Sequence, residues 1–425
     1  VCSARFKGPL RGLAQREKWF IIARPRERLV LPESDPPMAR LQAPPAFALA
    51  LCLGLASCTS WQREEEFEGW TLYVRSGEEI SSEDFVRAVQ PAFESVEAHL
   101  GDFEQDVRVH AWVGGVVMRD GARGSITTSS DGTIADVPGI GPARVRAFHA
   151  RGSNSLFSPS GVFVGAADPG TAVHELVHAR LAEEEPDLPL WFEEGFAMVM
   201  GDGALFEGDW VVDGFAPWPW RELREQRLDD EVLAGLLEVD SGEAHSVRDN
   251  VLVHFVGWAI VFDLYREHEV LDWRELRAHF DSAPHPLCEA RRRLERTLED
   301  GTPEEWLERL EHEDPGVRLA TARGTWKLHS TRIQRKLLGA LREEEHPEVQ
   351  ASLAVNALAT AGQVRVGRRQ SGWMWRRVFP VLRLTTLPDS EETSALRTLY
   401  RAYRYGNSRY DTQAALERLS RFWED

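Results

Sequence analysis

The strongest constraint in this sequence is the pentapeptide His174-Glu175-Leu176-Val177-His178. On a helix, two imidazoles four residues apart share one face, near enough to hold a common ion through bonds of about 2.1 Å. Glu175 sits beside them. A zinc ion (Zn2+) lowers the pKa of bound water to near 7, and an adjacent carboxylate can take the water's proton and pass it to a leaving amine. The spacing therefore demands a helix here and describes a hydrolytic mechanism.

With 13 histidines in 425 residues, H-E-x-x-H arises by chance a few times in about a hundred such chains, so a third ligand is needed. Sixteen residues after His178, the segment Trp191-Phe192-Glu193-Glu194-Gly195-Phe196-Ala197 opens a second apolar-faced helix with a carboxylate near its start. Two neutral imidazoles and one carboxylate leave a fourth coordination position for water. HELVH followed by WFEEGFA resembles the gluzincin zinc metallopeptidases, in particular the peptidase MA-like proteins and the aminopeptidase branch with W-L-x-E-G-x-A. That resemblance spans residues 70–300 and is sharp only in these two blocks. It implies a thermolysin-like domain with zinc on His174, His178 and Glu194, and Glu175 as general base. Glu193 reads as a surface or supporting group rather than a ligand, and no third histidine of the metzincin kind follows His178.

The same resemblance implies that the strand before the metal helix, 161–166, is an edge strand that pairs with extended substrate backbone; a plain core strand fits the residues as well. The glutamate motif with which aminopeptidases hold a free amine is missing from 158–169, which favours an endopeptidase. His254, in a segment where relatives carry Tyr before Trp-Ala-Leu, stands where an oxyanion donor belongs. His254, Trp258 and Phe262 also form one helical stripe, as a core histidine would.

Around these blocks, 70–75 and 106–113 alternate as strands and 81–100 has apolar residues at helical spacing. From 171 the pattern turns helical, over 171–182, 190–200, 247–265 and 272–280. The fold class expected is α+β over 58–300, followed by an all-α region over 301–425. In that region 304–329 and 334–362 match at Asp314-Pro315-Gly316-Val317 and His346-Pro347-Glu348-Val349. These units resemble HEAT-like repeats, which implies a surface for protein partners; two unrelated helical hairpins are the alternative. Residues 114–160, rich in Gly, Ser and Pro, carry no assignment.

At the other end, Met38 begins a signal-peptide profile with Arg40 and an apolar run over 46–56. Leu55-Ala56-Ser57-Cys58 resembles a bacterial lipobox, which implies cleavage after residue 57 and a lipid anchor on Cys58. Residues 38–57 are then the signal, and 1–37 an over-extended gene start or disordered segment. Thr59 is not the aspartate associated with inner-membrane retention, so the expected location is the outer membrane, facing the periplasm. Of the four cysteines, only Cys288 lies outside this region, so no disulfide is expected in the core.

A net charge of -18 repels phosphate backbones, which weighs against nucleic acid as a partner. One segment points the other way: residues 137–145, VPGIGPARV, resemble a helix-hairpin-helix element. The sequence as a whole reads as an exported, lipid-anchored zinc endopeptidase acting on peptide or protein substrates. The alternatives are an idle metal-containing scaffold that binds partners through its helical tail, or a helix-hairpin-helix protein that binds nucleic acid.

Overall fold

The computed structural model describes residues 61–75, 82–111, 168–226, 228–239, 247–299, 306–325 and 331–363, with short strands between 115 and 164 and scattered positions from 378 to 400. Cys58 and the segments 1–37 and 38–57 lie outside the described residues. From Trp61 onward the chain gathers into one compact unit. It is mixed and mostly helical, with small sheets, compatible with the α+β class.

Strand β1 (Trp61–Phe67) runs antiparallel to β2 (Trp70–Arg75), in which Trp70, Leu72 and Val74 alternate into the core. Helix α1 (Ser82–Leu100) buries Phe85, Val89, Phe93 and Val96, the positions its spacing places on one face. Gly101, at φ 83°, ends the helix by donating its N–H to Glu97 O at 2.8 Å. The chain returns as β3 (Val107–Ala111), parallel to β2 with Leu72 opposite Val109, so α1 is the crossover that parallel strands require.

Two short antiparallel pairs follow, β4 (Gly115–Val117) with β5 (Thr127–Ser129), and β6 (Asp136–Val137) with β7 (Gly141–Pro142). The second pair falls within the suspected helix-hairpin-helix segment, so strands rather than helices stand at 136–137 and 141–142. Next, β8 (Ala147–Ala150) pairs antiparallel with β9 (Gly161–Val164), which itself lies parallel to β3. The sheet order is β1-β2-β3-β9-β8. The strand expected at the edge, β9, is therefore internal among the described residues, and β8 occupies the edge. The sequence concealed this because β8 lies in the Gly- and Ser-rich stretch that carried no strand signal.

The helical half opens with α2 (Pro169–Glu184) and α3 (Leu190–Gly201), then a hairpin, β10 (Gly203–Phe206) with β11 (Asp209–Val212). Helices α4 (Pro217–Glu225), α5 (Asp230–Leu237), α6 (Val247–His268), α7 (Trp273–Asp281) and α8 (Pro286–Glu299) complete it. Buried Arg293 of α8 pairs with Asp263 at 2.8 Å and with Glu267 at 2.9 Å, fixing α8 to α6.

Among the described residues, the tail holds a 3-10 turn (Leu307–Glu311), α9 (Pro315–Gly324), α10 (Thr331–Glu343) and α11 (Pro347–Gln363), with scattered helical positions from 378 to 400. Pro315 and Pro347, the residues that matched between the two units, each open a helix. Among the described residues, α10 and α11 form a helical pair, while a 3-10 turn precedes α9. Arg318 of the first unit grips Glu344 of the second through two bonds, of 2.8 and 2.9 Å. No helix among the described residues is long and apolar enough to cross a membrane.

Candidate metal centre

The HELVH block lies inside α2, which starts where Asp168 accepts hydrogen bonds from Thr171 N at 2.9 Å and Thr171 Oγ1 at 2.6 Å, with Pro169 in the first turn. Ala172, Val173, Leu176, Val177 and Leu181 are buried, fixing how the helix is rotated. Its far end is held by Arg180, which donates to Gly101 O at 3.0 Å and pairs with Glu184, itself an acceptor from Trp273 Nε1 at 3.2 Å.

Helix α3 carries WFEEGFA, with Trp191, Phe192, Phe196 and Ala197 in the core. Two glycine contacts set how close the helices approach. A Cβ on Gly170 would lie 2.7 Å from Gly201 O, so α2 and α3 meet backbone to backbone beside His174. A Cβ on Gly257 of α6 would lie only 1.9 Å from Trp191 O, and one on Gly195 would lie 2.3 Å from the Gly257 backbone. Glu194 and His254 are thereby brought together from α3 and α6.

The result is a convergence of donor atoms. Nε2 of His178 lies 3.2 Å from Nε2 of His174 and 3.2 Å from Oε2 of Glu194. His174 Nε2 is 3.5 Å from the same oxygen, and His254 Nε2 is 2.9 Å from it. His174, Glu194 and His254 present ligand atoms within 4.8 Å of one another. Glu175 is buried on α2 between the two histidines.

Behind His178, its Nδ1 meets Glu193 Oε1 at 2.9 Å, and both side chains are buried. A ring N–H donated to Glu193 leaves the neutral imidazole with a lone pair on Nε2, directed at the Glu194 carboxylate and at His174. Facing lone pairs repel unless a cation lies between them, so the donor set fits a divalent metal ion of the zinc type. The same carboxylates that would favour a cation also favour a proton on His178, which a metal ion would have to displace. Burial pulls His178 down, but the Glu194 and Glu193 carboxylates outweigh it and hold the ring well above the usual imidazole range. Burial likewise pushes Glu194 up, yet the surrounding His254 and His178 hold it well below the ordinary carboxylate range. For His174 desolvation prevails and lowers its pKa, keeping the ring neutral as a ligand must be.

Three expected ligands, His174, His178 and Glu194, are thus brought together, and His254 joins them instead of staying in a core stripe. Of the two readings of Glu193, surface or supporting group, the structure has the second: it is buried against His178. Its only sequence signal was its place between Phe192 and Glu194 on an otherwise apolar helix. Comparison with protein-family models, with curated proteins and with solved structures finds no match to this chain.

Proposed function

We propose that this protein is a zinc-dependent endopeptidase. The observation that carries the reading is the convergence of His174 Nε2, His178 Nε2 and Glu194 Oε2 at mutual separations of 3.2 to 3.5 Å, with Glu175 beside them on α2. His174 and His178 would hold the ion through neutral rings and Glu194 through its carboxylate, while Glu193 fixes the tautomer and orientation of His178. When bound, zinc supplies Lewis-acid polarisation of a peptide carbonyl and acidifies a water in the site.

Glu175 receives the proton of the attacking water and delivers it to the departing amine nitrogen, the role its place in the pentapeptide assigns. Peptide backbone is read by the sheet. Edge strand β8 offers the main-chain groups on its outer side to an extended substrate, a recognition mode that binds backbone with little side-chain selectivity. The thermolysin-like assignment, the lipid anchor on Cys58, the periplasmic location at the outer membrane and partner binding by the helical tail belong to the same reading, resting on sequence resemblance.

The test is digestion of a proteome-derived peptide library by zinc-loaded protein, with metal content measured in parallel. About one zinc per chain with internal cleavages, both lost when His174 and His178 are replaced by alanine, is the expected result. A chain that carries no zinc, or that carries it and cuts no peptide, rejects the proposal.

A further inference from the structure

A fourth donor atom, His254 Nε2, reaches the Glu194 oxygen that two imidazoles already face. Around an ion bound at zinc–nitrogen distances, the edges of a tetrahedron are about 3.3 Å long. The pairs His174–His178, His178–Glu194 and His174–Glu194, at 3.2, 3.2 and 3.5 Å, are three such edges. His254 Nε2 lies 2.9 Å from the same oxygen, Oε2, that the other two imidazoles face, and its ligand atom is within 4.8 Å of those of His174 and Glu194. The His254 and His174 rings lie nearly parallel, 9° apart with centroids at 6.3 Å.

We infer that His254 is a fourth protein ligand of the resting metal ion, and that substrate must displace it to reach that ion. The inference rests on the reading of the centre as a zinc peptidase site. Exposure supports the division of labour: the His178 and Glu194 side chains are 9% and 13% exposed, His174 is 20%, and His254 is 29%. The three less exposed groups are the permanent ligands, and the one nearest solvent is the one able to leave. Helix α6 cannot withdraw to release it, because Gly257 is pressed against Trp191 O one turn further on. Release is therefore a rotation of the His254 side chain. A resting site closed by three imidazoles and one carboxylate holds its ion more tightly than the open three-ligand arrangement and is inert towards water until a peptide enters.

X-ray absorption at the zinc edge of the full chain, loaded with one equivalent of zinc, counts the imidazoles directly. The expected count is three in the wild type and two in His254→Ala and His254→Gln. Chelator competition should show zinc affinity at least about tenfold weaker in both variants, since even groups that only support a ligand cost that much when removed. Adding a peptide hydroxamate to the wild type should lower its count from three to two. One bound zinc with two imidazoles in the wild type overturns the fourth ligand while leaving the peptidase reading intact. A wild type that binds no zinc overturns both. A hydroxamate complex that keeps three imidazoles refutes displacement. The wild-type spectrum alone decides the first point if the variants fold poorly.

Discussion

At the scale of single residues, Glu175 and Glu193 are two buried carboxylates on neighbouring helices to which the geometry gives different work. Glu175 contributes no atom to the ligand cluster, so Glu175→Gln should leave about one zinc per chain while lowering peptide turnover by about 10²–10⁴-fold, the range for loss of a general base. Unchanged turnover at full metal content would remove Glu175 from the mechanism. Glu193 acts through His178. Glu193→Ala should weaken zinc binding by about 10–100-fold, as loss of a ligand's supporting partner does elsewhere. Glu193→Gln should weaken it less, because an amide oxygen still accepts from Nδ1–H. Glu194→Ala should weaken it most of all. Chelator competition ranks the three variants, and equal losses for Glu193→Ala and Glu194→Ala would reassign the third ligand.

At the scale of elements, the site exists because α3 and α6 touch through glycine. Gly257→Ala places a methyl group 1.9 Å from Trp191 O, and neither backbone can yield without parting Glu194 from His254. It should cost about 3 kcal/mol, the upper end for overpacking, and loosen the metal site as well. Gly235→Ala is the internal control: the residue is exposed within α5, nothing lies within 4 Å of the added carbon, and helix propensity should raise stability by about 0.5–1 kcal/mol. Thermal melts of the two variants should move in opposite directions, and a neutral Gly257→Ala would show that the helices can part freely.

These contacts also mark what could be read from the chain in advance. Positions four apart on one helix, such as His174 and His178, are fixed by local periodicity, and so were the boundaries of α1, α3 and β2 to within a residue or two. Contacts between helices are not periodic, so nothing local announced that Gly195 would meet Gly257, or that His254 would turn to Glu194. Strand β1 was missed because Glu64-Glu65-Glu66 reads as loop, whereas at a sheet border such charge is tolerated and discourages further pairing.

At the scale of the whole molecule, one buried acid helps fasten the tail to the half that bears the histidine–glutamate cluster. Asp213, just after β11, accepts from Trp306 Nε1 at 2.6 Å and pairs with Arg309 at 3.0 Å. Phe215 stacks on Trp306 and meets Trp258 of α6, and Trp258 donates to Gly214 O at 2.8 Å, so the same junction leads to the helix that bears His254. Burial raises Asp213 from an ordinary 3.8 to about 6, although Arg309 and Trp306 pull the other way. The folded state therefore holds this proton more tightly than the unfolded chain. The associated stability is complete below about pH 4 and is lost as pH rises through about 6. The raised value corresponds to a loss of about 3 kcal/mol across that window, since the group is buried and little screened. Asp213→Asn keeps an oxygen for Trp306 and removes the titration, so its denaturation midpoint should change less than that of the wild type between pH 4 and 7. Because the junction joins both halves, chemical denaturation followed separately by tail fluorescence and by zinc release should shift together with pH in the wild type. Parallel pH profiles for wild type and Asp213→Asn would show that this carboxylate does not couple them.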